Sequence, residues 1–443
     1  MFSKLSVKIP LKPAYIMKPP SRKYALRYFL ILAITLLWRI SFSQIESKDV
    51  KDVINQRKSK PVADIKNDLL VGKTYFSILP VVGYAPANGF LAGGAISFAR
   101  LYGQPPTNLS SGMVNFQFTT KRQFILNARS KIYLPWNNWF VQGDWRLLLF
   151  TQPTYGLGID NSEFNKSQLH INNLSEVEDD SLAEPMKFKL IRFYEEVSRK
   201  IGNSHFYAGI GISVDQHFGI IDEKLDTIPE SPDYYITNNY AYSIKNKFSP
   251  THYGTNGIKV TLLTDTRDNI SNCYKGYFAS ISMLFNVKIG NNSQPSTQLL
   301  YDGRYYLGLS KLRPRHVLAF WSWGNILLAG HVPYMALPSI GWDTYNRSGR
   351  GYIQGRYRGL SMIYNEAEYR YPISKNGLFG GTVFVNATTA SNYYHNVFDN
   401  TAFGYGAGLR MQMDKRARTN LTIDIGIDNN HSRGIYFNLQ ETF

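Results

Sequence analysis

The chain has 443 residues, of which 18% are charged and 44% hydrophobic, with 31 Tyr, 26 Phe, 35 Gly and a single Cys. One segment alone comes near the ~20 apolar residues of a spanning helix, which excludes a helical membrane protein. The aromatic load excludes intrinsic disorder, and the lone cysteine excludes an internal disulfide framework and any Cys-based zinc or iron–sulfur site.

Residues 1–44 hold Lys4, Lys8, Lys12, Lys18, Arg22, Lys23, Arg27 and Arg39 and no acid. Arg22, Lys23 and Arg27 precede the apolar run from Tyr28 to Trp38, after which Ser41 to Gln44 are small and polar. A basic stretch, a short apolar core and a polar exit read as a Sec signal peptide over 1–44, cleaved near Ser43 or Gln44. The n-region is long enough that Met17 could be the start, and the competing reading is a short anchor helix. Without those eight charges the net charge falls from +17 to +9. No Arg-rich helix, RNP motif or Cys/His finger accompanies the remaining excess, so no nucleic-acid partner is expected. Residues 45–74 are charged and poor in aromatics, and read as a short periplasmic helix or tether.

From residue 75 to 443 the texture is uniform and the signal is period-two alternation. Leu421, Ile423, Ile425 and Ile427 alternate with Thr422, Asp424, Gly426 and Asp428; Phe403, Tyr405, Ala407 and Leu409 alternate with Gly404, Gly406, Gly408 and Arg410. Such runs are longer than a typical soluble strand and match the ~9–11 residues of a tilted strand crossing a bilayer. A soluble sandwich or propeller would show shorter strands and closer turns. Sixteen strands are predicted, at 76–83, 89–100, 111–120, 123–134, 139–150, 186–199, 203–216, 256–266, 275–289, 296–310, 315–327, 358–372, 378–389, 401–413, 418–428 and 433–443. Linkers after even-numbered strands are mostly short, and the long ones (151–185, 217–255, 328–357, 390–400) follow odd-numbered strands. That parity is the pattern of an outer-membrane barrel with short periplasmic turns and both termini in the periplasm. Trp136, Trp139 and Trp145 are expected in interfacial girdles, and the lipids of the outer membrane are the expected surroundings.

Three motifs stand apart from the alternation. Asp265, Arg267, Asp268 and Asn269 lie in a DTRDN turn, where carboxylates flanking an arginine can staple the chain by charge-assisted hydrogen bonds. Arg350, Gly351 and Tyr352 form an RGY tripeptide in the long linker between the eleventh and twelfth strands. Ala367 to Pro372 spell AEYRYP, with Glu366, Glu368 and Arg370 on one face of the twelfth strand.

These motifs, in this order and with a terminal Phe443, make the chain similar to the BamA/TamA-type outer-membrane protein superfamily, the bacterial surface antigen barrels, over about residues 75–443. The resemblance implies an all-β, sixteen-stranded antiparallel transmembrane β-barrel whose RGY loop folds into the lumen. It also implies that Arg350 pairs there with Glu368 and with the position of Asn386, where the family carries an acid, and that Phe443 belongs to a C-terminal signal. Members that insert or translocate proteins carry periplasmic POTRA domains; the roughly thirty residues from 45 to 74 are too few for one, so a member without POTRA domains is expected. Its implied role is outer-membrane protein assembly or translocation together with periplasmic or lipoprotein partners. A scaffold barrel of an envelope complex and a passive channel are the competing roles.

Enzymatic chemistry is not expected. There is no GxSxG, HExxH or Walker loop, and His205, His217, His252, His316, His331 and His431 are scattered, so neither a metal nor another cofactor is anticipated. Cys273 reads as a lone unpaired thiol in a periplasmic turn. Asp424 and Asp428 are expected in a solvated network facing the lumen, and Pro80 removes one ladder donor from the first strand.

Overall fold

The computed structural model describes residues 46–54, 60–61, 71–85, 88–159, 183–310, 313–344, 346–393, 396–415, 418–429 and 433–443. The signal-peptide expectation for 1–44 and His431 fall outside these residues.

Sixteen strands form one antiparallel sheet in sequential order. They are β1 (Thr74–Ala85), β2 (Gly89–Arg100), β3 (Ser110–Thr119), β4 (Phe124–Tyr133), β5 (Trp139–Thr154), β6 (Glu184–Lys200), β7 (Phe206–Asp222), β8 (His252–Asp265), β9 (Gly276–Asn286), β10 (Ser296–Gly308), β11 (Val317–Gly330), β12 (Met362–Pro372), β13 (Phe379–Ala390), β14 (Ala402–Asp414), β15 (Thr419–Asp428) and β16 (Arg433–Leu439). Each pairs with its sequence neighbour, as expected when short hairpin turns join consecutive strands. No described helix is long and apolar enough to cross a membrane; the crossing elements are strands.

The alternation sorts side chains as the sequence predicts. Val383, Val385, Tyr405, Leu409 and Ile425 are exposed on the outer face, while Glu366, Glu368, Asn386, Arg410 and Asp424 are buried on the inner one. An apolar exterior around a polar interior is the arrangement that lipid outside and an enclosed lumen demand. Trp136 and Trp139 are exposed near the rim where β1 begins and β16 ends, and Arg199 stacks on Trp139 at 5.4 Å. Trp145 lies six residues further along β5, inside the apolar wall rather than at its edge.

The first and last strands share no registered ladder. Their edges meet where a Cβ on Gly83 would lie 3.4 Å from Phe437 Cβ. The last strand is shorter than the predicted 433–443: it stops at Leu439, and Gln440 takes a left-handed φ of 78°. The chain then turns inward, because Glu441 and Phe443 find buried partners there (below).

Ahead of β1, the short helix α1 (Val50–Ile54) docks at the β14–β15 turn. Lys415 Nζ lies 2.5 Å from Asp52, and the Lys415 amide donates to Asp49. Between β7 and β8, helix α2 (Asn238–Lys245) is capped by Thr237, whose hydroxyl accepts from the Tyr240 amide.

Candidate functional site

Antiparallel register on the inner face builds the site row by row. Glu366 pairs with Asn386, which pairs with Gly404; Glu368 pairs with Phe384, then Gly406, then Gly426; Arg370 pairs with Thr382, then Gly408, then Asp424. Carboxylates on β12 and β15 therefore flank a floor of glycines on β14 and β15, with one aromatic ring between them.

The β11–β12 loop, residues 331–361, lays Arg350 on this floor. Its Nη2 donates to Glu366 and, at 2.9 Å, to Glu368 Oε1, while Nη1 donates to Asp424 Oδ2 at 3.0 Å. The guanidinium carbon sits 3.6 Å above the Phe384 ring centroid, a cation–π contact under a charge that is 2% exposed. The glycines make the approach possible. A Cβ at Gly426 would lie 2.6 Å from the Gly351 nitrogen and 2.8 Å from the Arg350 carbonyl carbon, and one at Gly406 would lie 2.4 Å from the Phe384 ring. Gly351 itself has φ of 118°, which a side chain would strain. Its amide donates to Tyr436 Oη, and that hydroxyl donates to the Tyr352 carbonyl, so β16 also holds the tripeptide.

Around Arg350 the charges interlock. Arg370 donates to Glu368 through Nε at 2.9 Å and Nη2 at 2.6 Å, and Arg410 reaches Asp424, Glu441 and Glu368. A buried carboxylate is tolerated only when its charge is opposed and its lone pairs are occupied, and here each acid has at least one arginine. Asn386 behaves differently from the expectation. Its amide donates to the Arg350 backbone carbonyl at 2.9 Å instead of accepting from the guanidinium. The charge expected from that position comes instead from Asp424 and Glu366.

The same loop reaches the end of the chain. Arg347 donates to the Leu439 and Glu441 carbonyls. Arg370 donates to the Phe443 carbonyl at 3.1 Å, and the Phe443 ring packs on Trp321 at 5.3 Å. Phe443 is thus buried inside and does not continue the last strand. At the opposite wall Arg146 of β5 donates to the Asp343 and Thr344 carbonyls. Between the loop and the β1–β16 seam lies a cavity of about 670 Å³ lined by Pro80, Gly83, Leu91, Tyr352 and Phe437.

The DTRDN turn divides its carboxylates between two tasks. Asp265 binds Arg267 bidentately at 2.8 and 2.7 Å and accepts from Tyr133 Oη of β4 at 2.8 Å. Asp268 does not staple Arg267. It pairs with Arg418 of the β14–β15 turn at 2.8 Å and accepts from the Tyr274 amide. Asn269 accepts from the amides of Ser271 and Asn272. Burial alone would push the Asp268 carboxyl up, but the Arg418 guanidinium outweighs it and holds the group below its ordinary value. Cys273 is buried, and that burial, with Asp268 beside it, pushes the thiol up to about 12. A protonated, enclosed thiol is a packing group rather than a nucleophile.

Of the residues singled out from sequence, Arg350, Gly351, Tyr352, Glu368 and Asn386 come together in space, and the four DTRDN residues form a separate structure. Arg410, Glu441 and the seats at Gly404, Gly406 and Gly426 were missed. Their signal is the facing of a Gly-X-Gly-X-Gly strand against Thr-Ile-Asp-Ile-Gly, which acquires meaning only once the register is known. Among the described residues no group of three or more His, Cys, Asp or Glu side chains is placed to hold a metal ion.

The fold and site define a sixteen-stranded outer-membrane-type barrel with an arginine-bearing loop against its inner wall. Residues 215–443 match the Omp85 superfamily domain, and the chain belongs to the Omp85 superfamily. Barrels of this superfamily sit in the bacterial outer membrane and serve protein assembly or secretion with partner proteins. Among solved structures, CdiB from Escherichia coli aligns with a TM-score of 0.50 at 10% identity, covering 83% of this chain and 62% of that one. BamA from Haemophilus ducreyi lacking POTRA domains 1-3 aligns with a TM-score of 0.47 at 15% identity, covering 93% of this chain and 77% of that one. The chain thus spans about three-fifths of the CdiB chain. No curated protein matches it.

Proposed function

We propose that this barrel acts in outer-membrane protein assembly or translocation, working with periplasmic or lipoprotein partners, and that the Arg350 loop is the fixed inner element of that machine. The observation that carries this reading is the Arg350 guanidinium buried against Glu366, Glu368 and Asp424 within the superfamily domain. Three carboxylates around one loop arginine hold the loop on β12 and on β15, the strand that pairs with β16 of the seam. The seam itself has no ladder, so its opening would break few backbone hydrogen bonds. Support also comes from the cavity of about 670 Å³ that joins loop to seam.

Depleting the protein while following the levels of other outer-membrane barrels tests the reading. Their levels should fall and return with the wild-type chain, and should return incompletely with Arg350→Ala; unchanged levels on depletion would remove it. A second reading, a passive channel, draws on a cavity of about 590 Å³ lined by Arg129, Lys131, Tyr194, Lys259 and Arg304. Large steady currents from the purified barrel in planar bilayers would favour it, whereas α1 and the β11–β12 loop predict small ones.

A further inference from the structure

Among the described strand positions that face outward, Glu195 is the sole carboxylate. Its surroundings are apolar: Phe193 and Val197 on its own strand, Ile212 across on β7 and Trp145 on β5 are all exposed on the same wall. It lies four residues inside Arg199. With a rise of ~3.3 Å per residue and a tilt of ~40°, that is about 10 Å deep in the apolar band. The carboxylate accepts one hydrogen bond, from Trp145 Nε1 at 3.0 Å, and no cation pairs with it among the described residues.

The wall is shaped around this group. Gly143 is its registered partner, and a Cβ there would lie 2.7 Å from Glu195 Oε2 and 3.1 Å from Ser130 Oγ. The next position in the row, Ser130, is also small, and beyond it the Phe98 ring lies over Gly112, where a Cβ would come within 2.2 Å of that ring. The acid therefore lies flat over a low patch, with an indole N–H on one side and a hydroxyl on the other. Glu195 does not face the lumen network, where its neighbour Glu196 is matched by Lys259. An ionisable group facing lipid is costly and is retained where something pairs with it.

We infer that Glu195 is the anchor of a lateral docking surface for a membrane-embedded segment of a partner protein that presents one Lys or Arg at this depth. Charge complementarity selects the occupant, because an ammonium or guanidinium supplies the charge that the wall lacks. The small Ser130 and Gly143 beside the carboxylate let such a segment approach it, with the Phe98 ring over Gly112 as the neighbouring apolar contact. This rests on the reading of the chain as a membrane barrel with protein partners, and it names the chemistry one of them would carry.

The test uses the whole mature barrel in lipid nanodiscs with a dye on an exposed loop. The probes are two synthetic Leu-rich spanning peptides, one with a single Lys placed about 10 Å inside its end and one with Leu there. Energy transfer should report association of the Lys peptide about tenfold tighter than that of the Leu peptide. Glu195→Gln, which keeps the Trp145 hydrogen bond and should keep wild-type heat-modifiability, should abolish the preference. Glu195→Lys should transfer it to a Glu-bearing peptide. Equal association of both peptides with the wild type, or a preference that survives in Glu195→Gln, would overturn the inference. Because this binding is read without any assembly assay, its failure leaves the depletion result standing, and the reverse also holds.

Discussion

The Arg350 loop and the DTRDN turn are both arginine–carboxylate sites, yet they hold the molecule together in different ways. Arg267 is answered by Asp265 two residues away, and the pair needs little from the rest of the barrel beyond the Tyr133 hydroxyl. Arg350 is answered by Glu366 and Glu368 on β12 and by Asp424, 74 positions later on β15. The first pair shapes a turn. The second fixes a loop to two strands that no local force would bring together, and one of them, β15, pairs with the strand that borders the unladdered seam. The contrast separates a staple, which any β-barrel can use, from a coupling between loop, wall and seam.

Substitutions break the contrast in a definite order. The largest effect belongs to Arg350→Ala, which leaves three buried carboxylates short of a cation and should cost about 3–5 kcal/mol. It should appear as a clear fall in the temperature at which the barrel loses its folded mobility on gels. Gly426→Ala keeps every charge but places a methyl 2.6 Å from the Gly351 nitrogen. It should lift the loop at about 1–3 kcal/mol, the usual range for overpacking, and raise protease cleavage between 340 and 355. Wild-type cleavage would mean that the glycine floor is not what seats the loop.

Asp268→Asn should cost less, about 1 kcal/mol, as for a partly exposed ion pair. Its pH dependence has a definite sign. Because the folded carboxyl is held below its unfolded value, its stabilisation is present above about pH 4 and is lost as pH falls through the depressed folded value. The variant should therefore converge with the wild type in acid and differ from it at neutral pH. The smallest effect is expected from Asp52→Asn, a few tenths of a kcal/mol. It should loosen α1, which keeps the Asp49 contact to the Lys415 amide, read as faster amide exchange over 48–54 with the barrel unchanged.

How much of this could be read from the chain alone follows from the same contrast. Strand positions were legible because lipid on one side and a polar interior on the other impose strict alternation, as in Ile423–Asp424–Ile425–Gly426. Several ends were not. β7 runs on past residue 216 to Asp222, and β16 stops short at Leu439, because Arg347, Arg370 and Arg410 draw the last residues inward. Arg350 and Glu368 were legible through their motifs, whereas Asp424 as a direct ligand was not, since its place depends on the registers of three successive hairpins. Asn386 misled because an amide has both a donor and an acceptor end, and the loop backbone took the donor.

The most direct test is a double-mutant cycle between Arg350→Ala and Asp424→Asn, with stability of the folded barrel read by thermal or denaturant titration in detergent. If the loop arginine is bound to the β15 wall as described, the two changes should be strongly non-additive, with a coupling of about 2 kcal/mol or more. Additive losses, within about 0.5 kcal/mol, would mean that the two groups do not share an interaction and would contradict the account.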